Sequence, residues 1–335
     1  MRDRTAFFPA VLSACAIALL GAAAPAAAQS SPSASTGARY PARLIRIVVP
    51  FAAGGGTDIL ARSLGQRMSE SMGQTVLVEN RPGANSIIGT DFVAKAAGDG
   101  YTLLFTTQAL TINPSLHPSM PYDAERDFAP VTIAASAPNL LAVHPSIPVQ
   151  SVKQFIALAR TRPGALTVAA SGTGTPSHLA AELLRQMARI DLLVVQYKGS
   201  GASLSDVTGG QVASTFGALP SLTPLAQSGR LRALGVSGAK RSAVLPQVPT
   251  IGEWLPGFEC ETWYAVLVPA KAPREIVTRL HTEIVKALAH PEVKKSLATQ
   301  GFESGGMQPE QMARVVRTET ERWAKVIRDG NIRQQ

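Results

Sequence analysis

The sequence has little cysteine, histidine or charge, and each scarcity excludes a class of protein. Two cysteines and five histidines are spread over 335 residues, without the spacing that zinc or iron–sulfur ligands show. We therefore expect no metal site. Hydrophobic residues make up 45% of the chain and charged residues 16%, which excludes a disordered protein. The length predicts two domains, each large enough to bury its own core.

Several nucleotide-binding and catalytic motifs are also missing. The run Gly54–Gly56 lacks the lysine of a P-loop, and neither this run nor the one at 172–174 is part of a full Gly-x-Gly-x-x-Gly, so no cofactor is expected. The segment 235–239 fails the last position of the Gly-x-Ser-x-Gly nucleophile elbow. An exported serine hydrolase that pairs Ser171 with His178 stays open as an alternative. The basic residues are scattered, so the formal net charge of +9 predicts steering of small anions rather than binding of nucleic acid.

The N-terminus predicts export. Residues 1–28 combine early arginines, an apolar stretch and a run of alanines, the pattern of a signal peptide cleaved after Ala28. Cys15 ends a Leu-Ser-Ala-Cys sequence that resembles a lipobox, but the richer apolar stretch follows it, so plain cleavage is preferred to a lipoprotein. Residues 29–39 are rich in Ser, Ala, Pro and Gly and predict a flexible linker. These features predict an exported protein.

The rest of the chain alternates strands and helices. Residues 44–51 are β-branched and almost wholly apolar, which predicts a strand buried on both faces of a parallel sheet. Apolar residues at four-residue spacing over 59–72 predict an amphipathic helix. The same order of strand, loop and helix recurs from residue 166. Further strands are predicted at 131–135 and 140–143, and amphipathic helices at 273–289 and 309–329. This alternation predicts an α/β fold.

Two of the predicted loops open into a helix N-terminus, where unsatisfied N–H groups and a partial positive charge favour anions. The glycines at 54–56 and 172–174 allow an anion to approach the backbone, and neighbouring Ser and Thr residues add hydroxyl donors. If both loops face one cleft, they hold the carboxylates of a small acid from opposite sides. The alternative is that both are only tight turns between a strand and a helix.

An ordered series of short motifs runs from about Tyr40 to the C-terminus. The motifs are YP (40–41), IRIVVPF (45–51), GGGTD (54–58), VENRPG (78–83), DGYTL (99–103), INPS (112–115), FAPV (128–131), YKG (197–199), GGQV (209–212), LRAL (231–234) and VPT (248–250). In this order they resemble the Bug family (Bordetella uptake gene type), the periplasmic solute-binding proteins of tripartite tricarboxylate transporters.

The resemblance implies a two-domain periplasmic-binding-protein fold of type II-like architecture, each domain a mixed sheet flanked by helices, with the ligand in the interdomain cleft. Domain 1 comprises residues 40–138 and 259–335, including both C-terminal helices, and domain 2 comprises residues 139–258. The resemblance further implies a monomeric receptor rather than an enzyme. It closes on a small carboxylate and delivers it to the membrane subunits of a transporter. An orphan receptor that signals to a membrane sensor stays open as an alternative.

Carried over position by position, the resemblance implies ligand-binding residues in both loops and in a variable wall. The first loop supplies Phe51, Ala52, Gly55, Thr57 and Asp58, the second supplies Ser171, Gly172, Gly174, Thr175 and His178, and the wall supplies Thr107, Gln108, Phe216 and Gly217. Many relatives have Asp where this chain has Gly217, so we expect a ligand without an amino group. Trp263 and Tyr264 lie near the return crossing between the domains and either contact the ligand or fill the core.

Overall fold

The structure, a computed structural model, describes residues 40–333 apart from Gly55, Pro118 and Lys198. The predicted signal peptide (1–28), the predicted linker (29–39) and the alternative lipidation at Cys15 lie outside the described residues. Within the described range, no helix is both long enough and apolar enough to cross a membrane. No group of three or more His, Cys, Asp and Glu side chains in that range could hold a metal ion.

Strands and α-helices alternate through most of the described chain. The strands are β1 (Ile45–Val49), β2 (Val76–Asn80), β3 (Thr102–Thr107), β4 (Phe128–Val143), β5 (Thr167–Ala170), β6 (Leu193–Gln196), β7 (Ser214–Ala218), β8 (Arg232–Val236), β9 (Glu261–Pro269) and β10 (Glu303–Ser304). The helices are α1 (Gly56–Met72), α2 (Ile87–Ala94), α3 (Ala109–Leu116), α4 (Val152–Thr161), α5 (Pro176–Ala188), α6 (Ser200–Thr208), α7 (Leu219–Gln227), α8 (Arg274–Ala289), α9 (Pro291–Thr299) and α10 (Pro309–Asp329).

The strands form a mixed sheet in the order β2-β1-β3-β9-β4-β7-β5-β6, and β8 and β10 also pair with β4. β1 pairs in parallel with β2 and β3, and β5 pairs in parallel with β6 and β7. Residues 128–138 of β4 pair with β9, whereas residues 139–143 pair with β7 and β8. We call the strands on the β9 side, with 128–138, the first half-sheet, and those on the β7 side, with 139–143, the second half-sheet.

Helices cover both faces of the sheet. Ile47 of β1 lies in a buried cluster with residues of α8, whereas its neighbour Val48 lies in a different cluster. Leu140 and Leu141 of β4 divide between two further clusters in the same way. Since successive strand residues point to opposite faces, each half-sheet is buried on both sides. The predicted α/β class is confirmed, and so is the two-sided burial predicted for the first strand.

β4 and β9 differ from the sequence-based expectation. Residues 131–135 and 140–143, predicted as two strands, belong to the single 16-residue strand β4. Proline lacks an N–H for the sheet, so prolines inside strands are confined to irregular positions. Accordingly, the register shifts after Pro130, and β4 changes partner after Pro138. β9 is absent from the prediction because its partners β3 and β4 lie far away in the sequence.

The last helix also differs from expectation, because it contacts the cores of both half-sheets. Met312 lies in a cluster of the first half-sheet, but Trp323 lies in a cluster of the second. In addition, the side-chain amide of Gln186 on α5 donates a hydrogen bond to the carbonyl of Val326 at 2.9 Å. The 21 residues of α10 give a helix about 31 Å long. This length allows α10 to bridge the two half-sheets instead of packing on domain 1 alone.

Candidate functional site

A cavity of about 560 Å³ lies where four helix N-termini meet, at the start of α1, α5, α6 and α7. Each of these helices follows a strand, β1, β5, β6 or β7, so the cavity lies at the carboxyl ends of strands from both half-sheets. Hydroxyl groups near these helix starts line it: Thr57, Ser171, Ser177, Ser200, Ser203 and Ser221. None of the described residues that line the cavity carries a charged side chain. The partial positive charge of the helix ends is therefore the main attraction for an anion.

The β1–α1 loop is held by the carboxylate of Asp58, which is 3% exposed. This carboxylate accepts hydrogen bonds from the backbone N–H of Gly54 at 2.9 Å, from the side-chain amide of Asn80 at 3.0 Å and from Arg62 at 3.1 Å. Burial alone would raise the pKa of Asp58, but these donors outweigh it and keep the pKa below its ordinary value. Asp58 does not line the cavity, so its contribution here is to fix the loop at the start of α1.

The β5–α5 loop is fixed by a cluster of hydroxyl groups. The Ser177 hydroxyl accepts the backbone N–H of Ser171 at 2.9 Å, and the two side-chain oxygens are also 2.9 Å apart. The Thr175 side chain caps α5 by accepting the N–H of His178 at 3.4 Å. Gly174 has φ +71°, and a Cβ at this position would lie 2.1 Å from a methyl group of Leu116. Only glycine fits there, which explains the glycine in this loop.

His178 supports the same loop from beneath and does not line the cavity. Its Nδ1 accepts the backbone N–H of Gly174 at 3.0 Å, so this nitrogen is unprotonated. Burial, together with the positive charge of Arg185, lowers the pKa of His178 to about 4. No hydrogen bond joins His178 to Ser171 among the described residues. This geometry favours a positioning role for His178 over the Ser171–His178 pairing of a hydrolase.

The predicted site residues separate into two groups. Five line the cavity: Phe51, Thr57, Ser171, Phe216 and Gly217. Eight described ones do not: Ala52, Asp58, Thr107, Gln108, Gly172, Gly174, Thr175 and His178. Gly55 lies outside the described residues. Asp58, Gly174, Thr175 and His178 fix the loops that form the cavity, as described above. The structure therefore brings residues of both predicted loops to one cavity, whereas the prediction did not separate the residues that line it from those that support the loops.

Gln108 has a different role from the wall position predicted for it. This residue is fully buried, and its side-chain amide bridges two backbone groups of β9. The nitrogen donates to the carbonyl of Glu261 at 3.0 Å, and the oxygen accepts the N–H of Trp263 at 3.1 Å. The Thr107 hydroxyl accepts the N–H of Ala109 at 3.3 Å. Both side chains thus stabilise the junction of β3, α3 and β9.

Sequence reasoning left the roles of Trp263 and Tyr264 open and overlooked Thr262 and Phe302. Thr262 and Tyr264 line the cavity, whereas Trp263 between them lies in a core cluster on the other face of the sheet. The ring of Tyr264 packs edge-to-face on Phe302, with centroids 5.3 Å apart. Burial raises the pKa of Tyr264 to about 12, so the phenol is neutral and able to donate. Successive residues of a strand point to opposite faces, so a strand recognised after residue 260 would have separated Thr262 and Tyr264 from Trp263.

Comparison with known proteins places this arrangement in a family. Residues 60–332 match the family described as the tripartite tricarboxylate transporter family receptor. A protein from the tcbD-tcbE intergenic region of Pseudomonas sp. (strain P51) is 43% identical over 290 residues, covering 86% of each chain. The protein BugT of Bordetella pertussis is 37% identical over 316 residues, covering 93% of this chain and 94% of BugT.

Solved structures agree with these matches. An R. palustris protein with adipate is 39% identical and superimposes with a TM-score of 0.78, covering 88% of this chain and all of that one. MatC of Rhodopseudomonas palustris, with bound malate, is 30% identical with a TM-score of 0.75, covering 86% and 100% of the two chains. The predicted periplasmic-binding-protein fold is confirmed. The chain belongs to the tripartite tricarboxylate transporter receptor family, the Bug-type periplasmic solute-binding proteins.

Proposed function

We propose that this chain is a periplasmic receptor that binds a small carboxylate in the cavity between its half-sheets. The observation that carries the proposal is the convergence of four helix N-termini on a cavity whose described lining has no charged side chain. Backbone N–H groups and hydroxyls at helix starts satisfy a carboxylate without a buried cation. The relatives solved with adipate and malate support an organic acid as the ligand of this site.

We further propose that the protein closes on its ligand by a hinge at the two chain crossings between the half-sheets. Asn139, at the first crossing, makes three hydrogen bonds there. Its backbone N–H donates to the Ser237 hydroxyl and its carbonyl accepts the Ser237 N–H, both at 2.8 Å. Its side-chain amide donates to the carbonyl of Cys260, beside the second crossing, at 3.1 Å. These contacts keep the crossings together while the rest of each domain rotates. The domains in this proposal are residues 40–138 with 259–335, and residues 139–258.

Delivery to the membrane subunits of a tripartite transporter is the role we propose for the closed form, with the protein acting as a monomer after cleavage behind Ala28. A cell that lacks the receptor gene is then expected to lose uptake of the acid, and the unmodified gene is expected to restore it. Signalling to a membrane sensor predicts the reverse pattern, in which uptake persists and the transcriptional response to the acid disappears.

Ligand binding is tested by thermal unfolding of the mature protein, unfolded and refolded beforehand to remove any co-purified acid. We expect an added carboxylate at 100 times its Kd to stabilise the native state by about 2.7 kcal/mol, because it binds the folded protein only. The acids to screen are straight-chain dicarboxylates, tricarboxylates, hydroxy acids, acidic amino acids and aromatic acids. Failure of every acid to raise the unfolding temperature would contradict the proposed function.

A further inference from the structure

We infer that the ligand is a carboxylate with an apolar body, either an aromatic ring or a chain of about six carbons, and without an ammonium group. This inference rests on the proposed function and adds the chemical class of the acid. It comes from the side chains that line the cavity away from the helix starts. Six of them are aromatic or aliphatic, with Phe51, Tyr264 and Phe302 around the first half-sheet and Leu204, Phe216 and Leu222 around the second. The polar side chains among them are Asn139, Thr215, Thr262 and Gln300.

The two sets of apolar side chains belong to opposite half-sheets, so a ligand in the cavity lies between them. Tyr264 and Phe302 are already packed edge-to-face and offer a rigid aromatic surface. Ile59 on the first turn of α1 extends this surface, and its side chain is 49% exposed. A hydrocarbon ligand body would cover it. A short, highly polar acid would leave these apolar surfaces in contact with water. Its binding would therefore gain little free energy from the hydrophobic effect.

The described residues that line the cavity include no carboxylate to pair with an ammonium group. The nearby carboxylate of Asp58 is buried and accepts hydrogen bonds from Gly54, Arg62 and Asn80. It does not line the cavity. Four helix N-termini would also repel a positive charge. An amino acid would therefore bury its ammonium without an opposite charge to pair with, which is costly.

Gly217 contributes to the apolar character of the second wall. A Cβ at this position would lie 2.9 Å from Cδ1 of Leu222 and 3.2 Å from Cγ. The absence of a side chain at 217 allows Leu222 to approach the backbone beside Phe216, and both residues line the cavity. A longer side chain at 217 would displace Leu222 and enter the space available to the ligand.

The first experiment measures Kd by calorimetry for succinate, glutarate, adipate and pimelate, with benzoate, malate and glutamate alongside. We expect the affinity to rise about fourfold for each added methylene up to about six carbons, which corresponds to 0.8 kcal/mol per buried CH₂. Malate is expected to bind more weakly than succinate, and glutamate more weakly than glutarate. Tighter binding of benzoate than of adipate identifies a ring as the apolar body, and the opposite order identifies a chain.

Two outcomes of this series separate the inference from the proposed function. If some carboxylates bind but succinate, malate or glutamate bind as tightly as the longer and aromatic acids, the inference is wrong and the receptor role stands. If none of the acids binds, the proposed function fails, and the inference fails with it.

The second experiment changes the wall at a position where folding is little affected. Ile59→Ser is expected to weaken the preferred long or aromatic acid about fivefold and to change succinate by less than about twofold, since only the larger body reaches residue 59. Ile88→Ser is the matched control, because Ile88 is also exposed, at 57%, near the start of a helix, but does not line the cavity. Equal losses for both acids, or for both variants, would overturn the assignment of Ile59 to the ligand's apolar body.

A substitution at Gly217 tests the second wall, opposite Ile59, by introducing a charge. Gly217→Asp is expected to weaken the preferred acid at least tenfold, because it places a carboxylate beside the bound anion. Gly217→Asn has nearly the same shape without the charge and separates the effect of displacing Leu222 from that of repulsion. We expect its loss to be severalfold smaller. Unchanged affinity in Gly217→Asp would place the ligand away from this wall and contradict the inference.

Discussion

Acidification from pH 6.5 to 4 is expected to lower the free energy of unfolding by about 3 kcal/mol more in this protein than in a His178→Asn variant. His178 has a pKa of about 4 in the native state, against 6.5 ordinarily. The unfolded chain therefore binds a proton in this interval while the native state does not, and each lost pH unit favours unfolding. Above pH 6.5 both states hold a neutral ring, and below pH 4 both are protonated, so the difference is confined between these values.

Asparagine is the matched replacement because its side-chain oxygen can accept the Gly174 N–H in place of Nδ1 but does not titrate. Urea unfolding at several pH values measures the effect, with each protein referred to its own stability at pH 7. This reference removes the cost of the smaller side chain. Parallel pH curves for the two proteins would mean that the native His178 titrates as in the unfolded chain, and would contradict its assignment as a buried acceptor.

The consequence for the site follows from the same hydrogen bond. A protonated imidazole has no free acceptor, so protonation of His178 breaks the contact from Nδ1 to Gly174. The loop that carries Ser171 to the cavity then loses one of its supports. The pH dependence of stability is thus also a measure of how firmly the β5–α5 loop is held.

The parts of the fold that the sequence predicts well are those determined by nearby residues. β1 is predicted by an apolar run and α1 by apolar residues at helical spacing, so both can be recognised from a short stretch of sequence. β9 is different, because its position depends on pairing with β3 and β4. The continuity of β4 through Pro138 depends likewise on a change of partner at that residue. Such pairings join residues that are far apart in the sequence, so a short stretch of sequence does not predict them.

The candidate site likewise combines features that nearby residues predict with features that depend on the folded structure. The two Gly-rich loops are visible because glycine, serine and threonine cluster before a helix, and Thr57 and Ser171 do line the cavity. The starts of α6 and α7 reach the same cavity. The run Gly-Ser-Gly-Ala-Ser at 199–203 marks the start of α6 in a comparable way but was not predicted as a binding loop, whereas the start of α7 has no such cluster. His178 and Asp58 are close in sequence to the wall but are buried behind it. Distance along the chain does not separate a residue that faces a ligand from one that holds the loop.

Trp323→Ala is expected to lower the free energy of unfolding by about 4 kcal/mol, within the usual range for removal of a buried Trp. Trp323 is fully buried in the cluster of the second half-sheet, and its Nε1 donates to the Glu319 carboxylate at 2.6 Å. The substitution leaves a cavity and removes that donor. Because Met312 anchors the other end of α10 in the first half-sheet, the change also weakens a helix that joins the two halves.

Two further variants separate the anchoring of α10 from a general sensitivity to tryptophan loss. Trp323→Phe keeps most of the ring and loses the N–H, so we expect about half of the destabilisation. Trp254→Ala removes a tryptophan that is 48% exposed and is expected to cost less than about 1 kcal/mol. Chemical unfolding of the three variants beside the parent protein measures these values. If Trp323→Ala and Trp254→Ala were equally mild, the C-terminal end of α10 would contribute little to the second half-sheet, and the helix would belong to domain 1 alone.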